Sequence, residues 1–295
     1  MKIAYIDYRP SIRSKSLIRQ CNEILQEYQD DGYTLTLRQL YYQLVAADSI
    51  PNSQKSYKRL GDVVSRARDG GLIDWNHIVD RTRTVMSRPV WDDKTDFMES
   101  VIPQYHHDFW KDQPTRVMVF VEKEALAEVV SRPARRWDVP YFANKGYLSA
   151  SSVWNVARNM MLHNDDRCKH FIVLHLGDHD PSGIDMTRDI QERLNLYAGT
   201  KSAPVIEVRR IALNMDQIDL YDPPPNPAKA TDSRFESYRK QFGDESWELD
   251  ALTPRVIDSL INDAIEDIVM FDMWQDRKDE KEAIVEELKK QSGIK

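Results

Sequence analysis

The chain has 295 residues, 41% of them hydrophobic and 30% charged, with a formal net charge of -7. That is enough for one large domain or two ordinary ones, and the balance fits a soluble globular protein rather than an indiscriminate nucleic-acid coat. No stretch approaches the roughly 18 consecutive apolar residues of a membrane span, residues 1–15 lack an apolar core so that no secretory signal is expected, and Cys21 and Cys168 make neither a disulfide framework nor a metal cluster.

Reduced thiols in a cytoplasmic protein are the expectation. The charge is uneven: residues 1–90 carry 14 Lys and Arg against 10 Asp and Glu, and the remainder carries 27 against 38. A basic N-terminal third on an acidic body needs an explanation. Residues 14–30 put Leu17, Cys21, Ile24, Leu25 and Tyr28 on one face of an amphipathic helix. Residues 31–33, DGY, break it, and Thr36 can cap a second helix over 37–48 that is apolar all round. Pro51 fixes a turn, and Ser53 can cap a third helix over 54–69 that ends at Gly70 and Gly71. Tyr57, Leu60, Val64 and Ala67 make its inner face, while Lys55, Lys58, Arg59, Arg66 and Arg68 fall largely on the outer one. Residues 71–75, GLIDW, can form a short wing strand, which completes the parts of a winged helix-turn-helix.

Residues 84–115 are mixed and read as connecting chain. From Arg116 the pattern changes. Strands over 116–121, 139–145, 170–176 and 205–213 alternate with helices over 124–137, 149–163 and 183–197, which means a parallel sheet with helices on its faces. Residues 221–229, YDPPPNPAK, cannot be regular structure. Thr253-Pro254 opens a last helix that runs, with breaks, to about Gln291. The expected limits are a winged-helix domain over 1–90, a connector over 91–115, a metal-binding α/β domain over 116–253 and a helical segment over 254–295.

Ligands of open parallel sheets bind beyond the carboxyl ends of the strands. Asp178 and Asp180 follow the third strand in LHLGDHDPSG, and Glu122 follows the first in VFVEKEAL. Three anions brought together repel unless a cation sits among them, and an all-oxygen set favours magnesium or manganese. Gly183 lets the backbone come close, and Pro181 fixes the turn before the helix. The plain alternative is a turn, since Asp-Pro and Ser-Gly are turn signals; Glu122 on a preceding parallel strand favours the metal. His179 lies between the two aspartates and is expected to point away.

VFVEKEAL, FANKGYLSAS (142–151) and LHLGDHDPSG resemble the motifs of the Toprim domain of topoisomerases, primases and some nucleases. The longer forms are similar to one branch, the A subunit of DNA topoisomerase VI and the related meiotic double-strand-break protein. SWELDALTP (246–254) resembles the C-terminal part of that branch, which would put Glu248 near the metal. TLTLRQLYYQLV (34–45) resembles its catalytic motif in a winged-helix domain. The resemblance covers about Thr34 to Ile257. It implies that Glu122, Asp178 and Asp180 bind magnesium, that Tyr42 is the nucleophile with Tyr41 as runner-up, and that the product is a tyrosyl-DNA bond with a free 3′-hydroxyl. It also implies a homodimer in which the tyrosine of one subunit acts with the metal of the other. Glu122 joins Arg38 and Tyr42 as a catalytic candidate.

Arg38 is four residues before Tyr42 and shares its helix face. A phenol with a pKa of about 10 is a poor nucleophile; a guanidinium beside it favours the phenolate and can hold a phosphate bidentately. A tyrosine pair on an apolar helix can equally be core. Lys123 and Glu124 can support the metal site or be solvated residues at a helix start. The basic segment 55–88, with Lys55, Lys58, Arg59, Arg66, Arg68, Arg81, Arg83 and Arg88, is the candidate contact to double-stranded DNA, against the alternative of a solvated face. No Gly-rich nucleotide loop is present, so any strand passage would need a separate GHKL-type ATPase subunit. Three functions stay open: tyrosyl-linked DNA cleavage, a Toprim nuclease that hydrolyses DNA or RNA with metal-activated water, and a non-catalytic DNA-binding module.

Overall fold

The helices of the N-terminal third each start where a short polar side chain takes up an orphan N–H group. The computed structural model describes residues 1–79, 88–143, 146–162, 168–199 and 205–294. Helix α1 (Ile12–Asp30) is capped by Ser11, α2 (Leu37–Ala46) by a capping box of Thr36 and Gln39, and α3 (Gln54–Asp69) by Ser53. Their apolar faces meet around Cys21, Leu25, Leu40, Leu44, Leu60 and Ala67. The wing expected at 71–75 is not a strand. Gly71 takes a positive φ of 69°. The N–H groups of Leu72 and Ile73 both turn back to the Ala67 carbonyl, at 2.7 and 3.2 Å, so they are spent on ending the helix rather than on a ladder. Among the described residues the N-terminal part has isolated bridges in place of strands, Ala4 with Gly70 and Leu35 with Ile78.

The segment 91–115, expected to be plain connector, holds α4 (Lys94–Val101), whose first N–H groups are taken by the Asp93 side chain, and a 3-10 turn at Ile102–Gln104. Beyond it the expected alternation is present: β1 (Thr115–Val121), α5 (Ala127–Arg136), β2 (Tyr141–Ala143), α6 (Ala150–Leu162), β3 (His170–Leu176), α7 (Pro181–Ala198) and β4 (Val205–Ala212). The strands lie in the order β2-β1-β3-β4, every neighbour parallel. Side chains alternate between the faces of a strand. Val117, Val119 and Val121 of β1, with Leu174 and Leu176 of β3, therefore build one core, and Phe120, Phe171 and Val173 build the other under α6 and α7.

After β4 come α8 (Met215–Tyr221), β5 (Asn226–Pro227), α9 (Phe235–Phe242), β6 (Glu245–Ser246), α10 (Pro254–Glu266) and α11 (Phe271–Ser292). The proline-rich loop is thus not wholly irregular, because Asn226 and Pro227 pair antiparallel with β6. Nor is the C-terminal segment separate from the sheet. Ile257, Ile261 and Ile265 of α10 and Trp274 of α11 sit in the same core as Val129 and Val130 of α5. The rest of α11 is charged and largely solvated, as its sequence suggests. The chain is α/β, with a four-stranded parallel sheet consistent with a Rossmann-like layering. No helix among the described residues is long and apolar enough to cross a membrane.

Candidate functional site

The central strands β1 and β3 end in register, Val121 opposite Leu176, so Glu122 meets the 177–180 loop directly. The Glu122 N–H donates to the Leu176 carbonyl at 2.9 Å, and Glu122 Oε2 accepts from the Asp178 N–H at 3.0 Å. Asp178 is buried and its Oδ1 accepts from the Leu249 N–H at 2.7 Å. Asp180 is occupied differently. It is the N-cap of α7, and its Oδ1 accepts from the Gly183 N–H at 2.6 Å and from Ser182 Oγ at 2.8 Å. His179 does point away: its Nδ1 lies 2.8 Å from Tyr238 Oη, and its ring packs among Tyr238, Phe242 and Trp247.

The His179 backbone exchanges two hydrogen bonds with Trp247, at 2.8 and 3.0 Å. That bridge carries Glu248 and Asp250 into the site. Oxygens of Asp178, Glu248 and Asp250 lie within 4.8 Å of one another, and this buried acidic triad can hold a divalent cation. The grouping differs from the expected Glu122, Asp178 and Asp180. Only Asp178 is common to both; Glu122 Oε2 is turned to the Asp178 N–H, and Asp180 Oδ1 caps α7. Glu248 belongs to the site, as its motif suggests, but Asp250 was missed; its only signal is a second carboxylate two residues on, and the 3-10 turn over Leu249–Ala251 is what brings it in.

Lys123 stands among the three acids. Its Nζ lies 2.9 Å from Asp178 Oδ1, 2.8 Å from Asp250 Oδ1, and in contact with Glu248 Oε2. It is therefore neither a solvated residue nor a bystander. Glu124 opens the adjacent 3-10 turn and is half-buried. Burial pushes the Asp178 carboxyl up to about 7, with the Lys123 charge opposing. Burial likewise raises Glu122. Burial alone would strip Lys123 of its proton, but the charges of Asp250, Asp178 and Glu248 outweigh it and hold its pKa above the ordinary value.

Arg38 and Tyr42 approach from α2. Arg38 Nη2 lies 3.0 Å from Glu248 Oε2, Arg38 Nε lies 3.0 Å from Asp250 Oδ2, and Nη2 also donates to Tyr42 Oη at 3.5 Å. The Tyr42 phenol is pushed up to about 12 by burial and by the charges of Glu248 and Asp250, with Arg38 pulling the other way. Tyr41 has a different task. Its Oη donates to Asn52 Oδ1 at 3.0 Å and accepts from the Ser53 N–H at 2.8 Å, which fixes the turn between α2 and α3. The Tyr41 hydroxyl is thus engaged within the fold, whereas that of Tyr42 faces Arg38.

Arg210 is a second residue that sequence reasoning missed. Its guanidinium donates to the carbonyls of Gly177 (2.9 Å), Asp178 (2.7 Å), Gly183 (2.9 Å) and Leu213 (3.1 Å), so it ties the acidic loop to the end of β4. The sequence signal is weak, since β4 also carries Glu207 and Arg209 and nothing in it marks Arg210 as the one that turns inward.

On α3, Lys55, Lys58, Arg59 and Arg66 are exposed, as is Arg88 beyond it. Arg81 and Arg83 lie outside the described residues. Arg68 is not an outward cation: its Nη2 donates to the carbonyls of Trp75 (2.9 Å) and Ile78 (3.1 Å), and its guanidinium lies 4.4 Å from the Trp75 ring centre. It closes the turn after α3 in place of the missing wing ladder. Arg68→Ala is expected to cost about 2 kcal/mol of stability, read by urea denaturation, because two carbonyls lose a charged donor; an unchanged midpoint would return Arg68 to the surface. Comparison of the chain with protein-family models, with curated proteins and with solved structures returned no match.

Proposed function

We propose that the protein cleaves double-stranded DNA with Tyr42 as nucleophile and magnesium, or manganese in its place, as cofactor, in the manner of the topoisomerase VI A subunit that its motifs resemble. One observation carries the reading. An unbroken run of polar contacts leads from Tyr42 Oη through Arg38 to Glu248 and Asp250, and from these through Lys123 to Asp178 beside Glu122. A nucleophile, a phosphate-binding guanidinium and a set of hard metal ligands share one place. On this reading the three N-terminal helices are the DNA-binding domain of the winged-helix kind and the sheet is a Toprim domain.

In the proposed step Tyr42 Oη attacks a backbone phosphorus. An O–P bond forms and the phenol proton passes to solvent. The bond from phosphorus to the 3′ oxygen breaks, and that oxygen leaves with the electron pair and takes up a proton from water. The half-exposed Arg38 side chain holds the phosphate and favours the phenolate. Asp178, Glu248 and Asp250, with Glu122 alongside, would hold the ion, which when bound neutralises charge on the phosphate. Lys55, Lys58, Arg59 and Arg66 would take DNA phosphates, and each alanine variant should weaken every duplex alike and lower the salt slope by about one. A homodimer is part of the proposal, and strand passage would draw on a separate GHKL-type ATPase subunit.

A second reading has its own support. A phenol held near 12 resists ionisation, which favours a Toprim nuclease that uses metal-activated water. Tyr42→Phe decides between them on supercoiled plasmid with magnesium, with and without protease treatment. The tyrosyl mechanism predicts that protein-blocked ends vanish and cleavage falls by about a thousandfold or more. Full cleavage by Tyr42→Phe would establish hydrolysis instead, and no cleavage by the wild type would leave a DNA-binding module.

A further inference from the structure

Strand β3 carries a histidine where a core calls for an apolar side chain. His175 is 1% exposed and falls on the face of the sheet that also presents Phe171 and Val173 to α7. Its Nδ1 lies 2.8 Å from Thr187 Oγ1 of α7, and its Nε2 is buried with no partner among the described residues. Burying an imidazole with one nitrogen unsatisfied is costly, and an apolar side chain would fill the space without that cost. What the imidazole provides in return is its one hydrogen bond.

That bond leads to the acidic loop. His175 and Arg210 stand opposite each other in the parallel pairing of β3 with β4, and the pairing slips by a residue just after them. Arg210 Nη1 donates to Thr187 Oγ1 at 3.4 Å and to the Gly183 carbonyl at 2.9 Å, while Nη2 donates to the carbonyls of Gly177 and Asp178 at 2.9 and 2.7 Å. A threonine hydroxyl that accepts from Arg210 still has its own proton to give, and His175 Nδ1 is there to take it. The ring is then neutral with its proton on Nε2. The opposite tautomer would leave both Nε2 and the Thr187 proton without a partner. Burial and the Arg210 charge keep the ring neutral, with its pKa pushed down to about 3. The groups converge on Gly177, where a Cβ would lie 2.9 Å from Glu122 Oε2, 3.1 Å from His175 Cε1 and 3.2 Å from Arg210 Nη1.

We infer that His175 and Thr187 are positioning residues of the acidic site: through Arg210 they fix the backbone of the Gly177–Asp178 loop, and with it the aim of the metal-binding carboxylates. The inference rests on the metal-binding part of the reading above and is independent of Tyr42 and of the number of chains that share the site. Its logic is that of an outer shell around a metal, where groups that touch no ion hold the ligands that do. Asp178 is the ligand most exposed to this control. Its carbonyl is held by Arg210, its N–H by Glu122, and its Oδ1 by the Leu249 N–H at 2.7 Å. A turn of the Asp178 peptide moves Oδ1 away from Glu248 and Asp250, and Thr187 keeps the arginine from allowing that turn.

Two measurements on the full chain test it. The first reads the tautomer by long-range proton–nitrogen NMR of the chelator-treated protein, with the His175 ring identified by its loss in His175→Phe. A neutral ring protonated on Nε2 is expected, with an Nδ1 signal that shifts in Thr187→Val; a proton on Nδ1, or an Nδ1 signal indifferent to Thr187→Val, would overturn the hydrogen-bond chain and the inference with it. The second measures manganese binding, from the electron paramagnetic resonance of the free ion. Thr187→Val keeps the shape of the side chain but not its hydroxyl, and should weaken binding by about tenfold, the lower end of what outer-shell partners contribute. Thr187→Ser restores the hydroxyl and should bind as the wild type does. Wild-type affinity in Thr187→Val, or an equal loss in both variants, would sink the positioning role, because a residue needed only for packing has no reason to tell valine from serine in this way. Wild-type protein that takes up no manganese fails differently: it removes the metal reading, and the inference falls with it even where the tautomer is the expected one.

Discussion

Gly183→Ala is expected to destabilise the protein by about 3 kcal/mol, the upper end of what forcing extra volume into a packed region costs, and, on the proposed function, to abolish DNA cleavage. A Cβ at this position would lie 2.1 Å from the Asp178 carbonyl oxygen and 3.0 Å from its carbon, with Glu122 Oε2 at 3.1 Å. The nearest obstacle is backbone, so no side-chain rotation relieves it. The Asp178 peptide must move instead. That peptide donates its N–H to Glu122 and its carbonyl accepts from Arg210, so the displacement reaches the acidic site from both ends. Gly177 is a milder case, since a Cβ there would meet side-chain atoms first, Glu122 Oε2 at 2.9 Å, rather than backbone. Urea denaturation and plasmid cleavage measured on one preparation check the prediction. A Gly183→Ala protein with wild-type stability and activity would mean that the loop is not held as described.

The elements whose contacts are local were legible in the sequence. Three of the four strands announce themselves as runs containing β-branched and aliphatic residues, β2 is the short Tyr-Phe-Ala, and β3 begins and ends where its sequence suggests, at His170 and Leu176. Asp178 follows from the same logic, since it lies just past a buried strand. What escaped depends on partners far along the chain. Asp250 enters the site only because Trp247 bridges to His179, and nothing in SWELDALTP reveals which segment it will pair with. Arg210 reads as one of three charges in β4 until its carbonyl partners 27–33 residues earlier are in place. Arg68 was assigned to the outer face of α3 from helical spacing, but it lies in the last turn, where the chain folds back and offers the carbonyls of Trp75 and Ile78. Helix α9 was missed for a related reason: Tyr238 is held by the carbonyls of His179 and Glu245, which the sequence of the helix does not contain.

Lys123→Met is expected to lower the stability of the metal-free protein by about 3–5 kcal/mol near neutral pH, the cost of breaking a buried ion pair from one side. The Lys123 ammonium is the cation that touches all three acids of the triad, and methionine fills much of its volume without the charge. The loss should depend on pH, with a sign that follows from Asp178. Its folded pKa of about 7 lies above the roughly 3.9 of an unfolded aspartate, so its contribution to stability is fully present below about pH 4 and is lost as pH rises through 7. Removing the ammonium raises Asp178 further, because the opposing positive charge is gone. The variant should therefore fall behind the wild type as pH increases, and the two should converge in acid, where the carboxyls are protonated. Divalent ions supply the missing charge, so magnesium should restore more stability to Lys123→Met than to the wild type, whose lysine competes for the same oxygens. Denaturant curves at about pH 5 and about pH 8, with chelator and with excess magnesium, read both effects. If the variant matched the wild type in chelator at the higher pH, Lys123 would not be neutralising the triad, and the distances around its ammonium would have no energetic meaning.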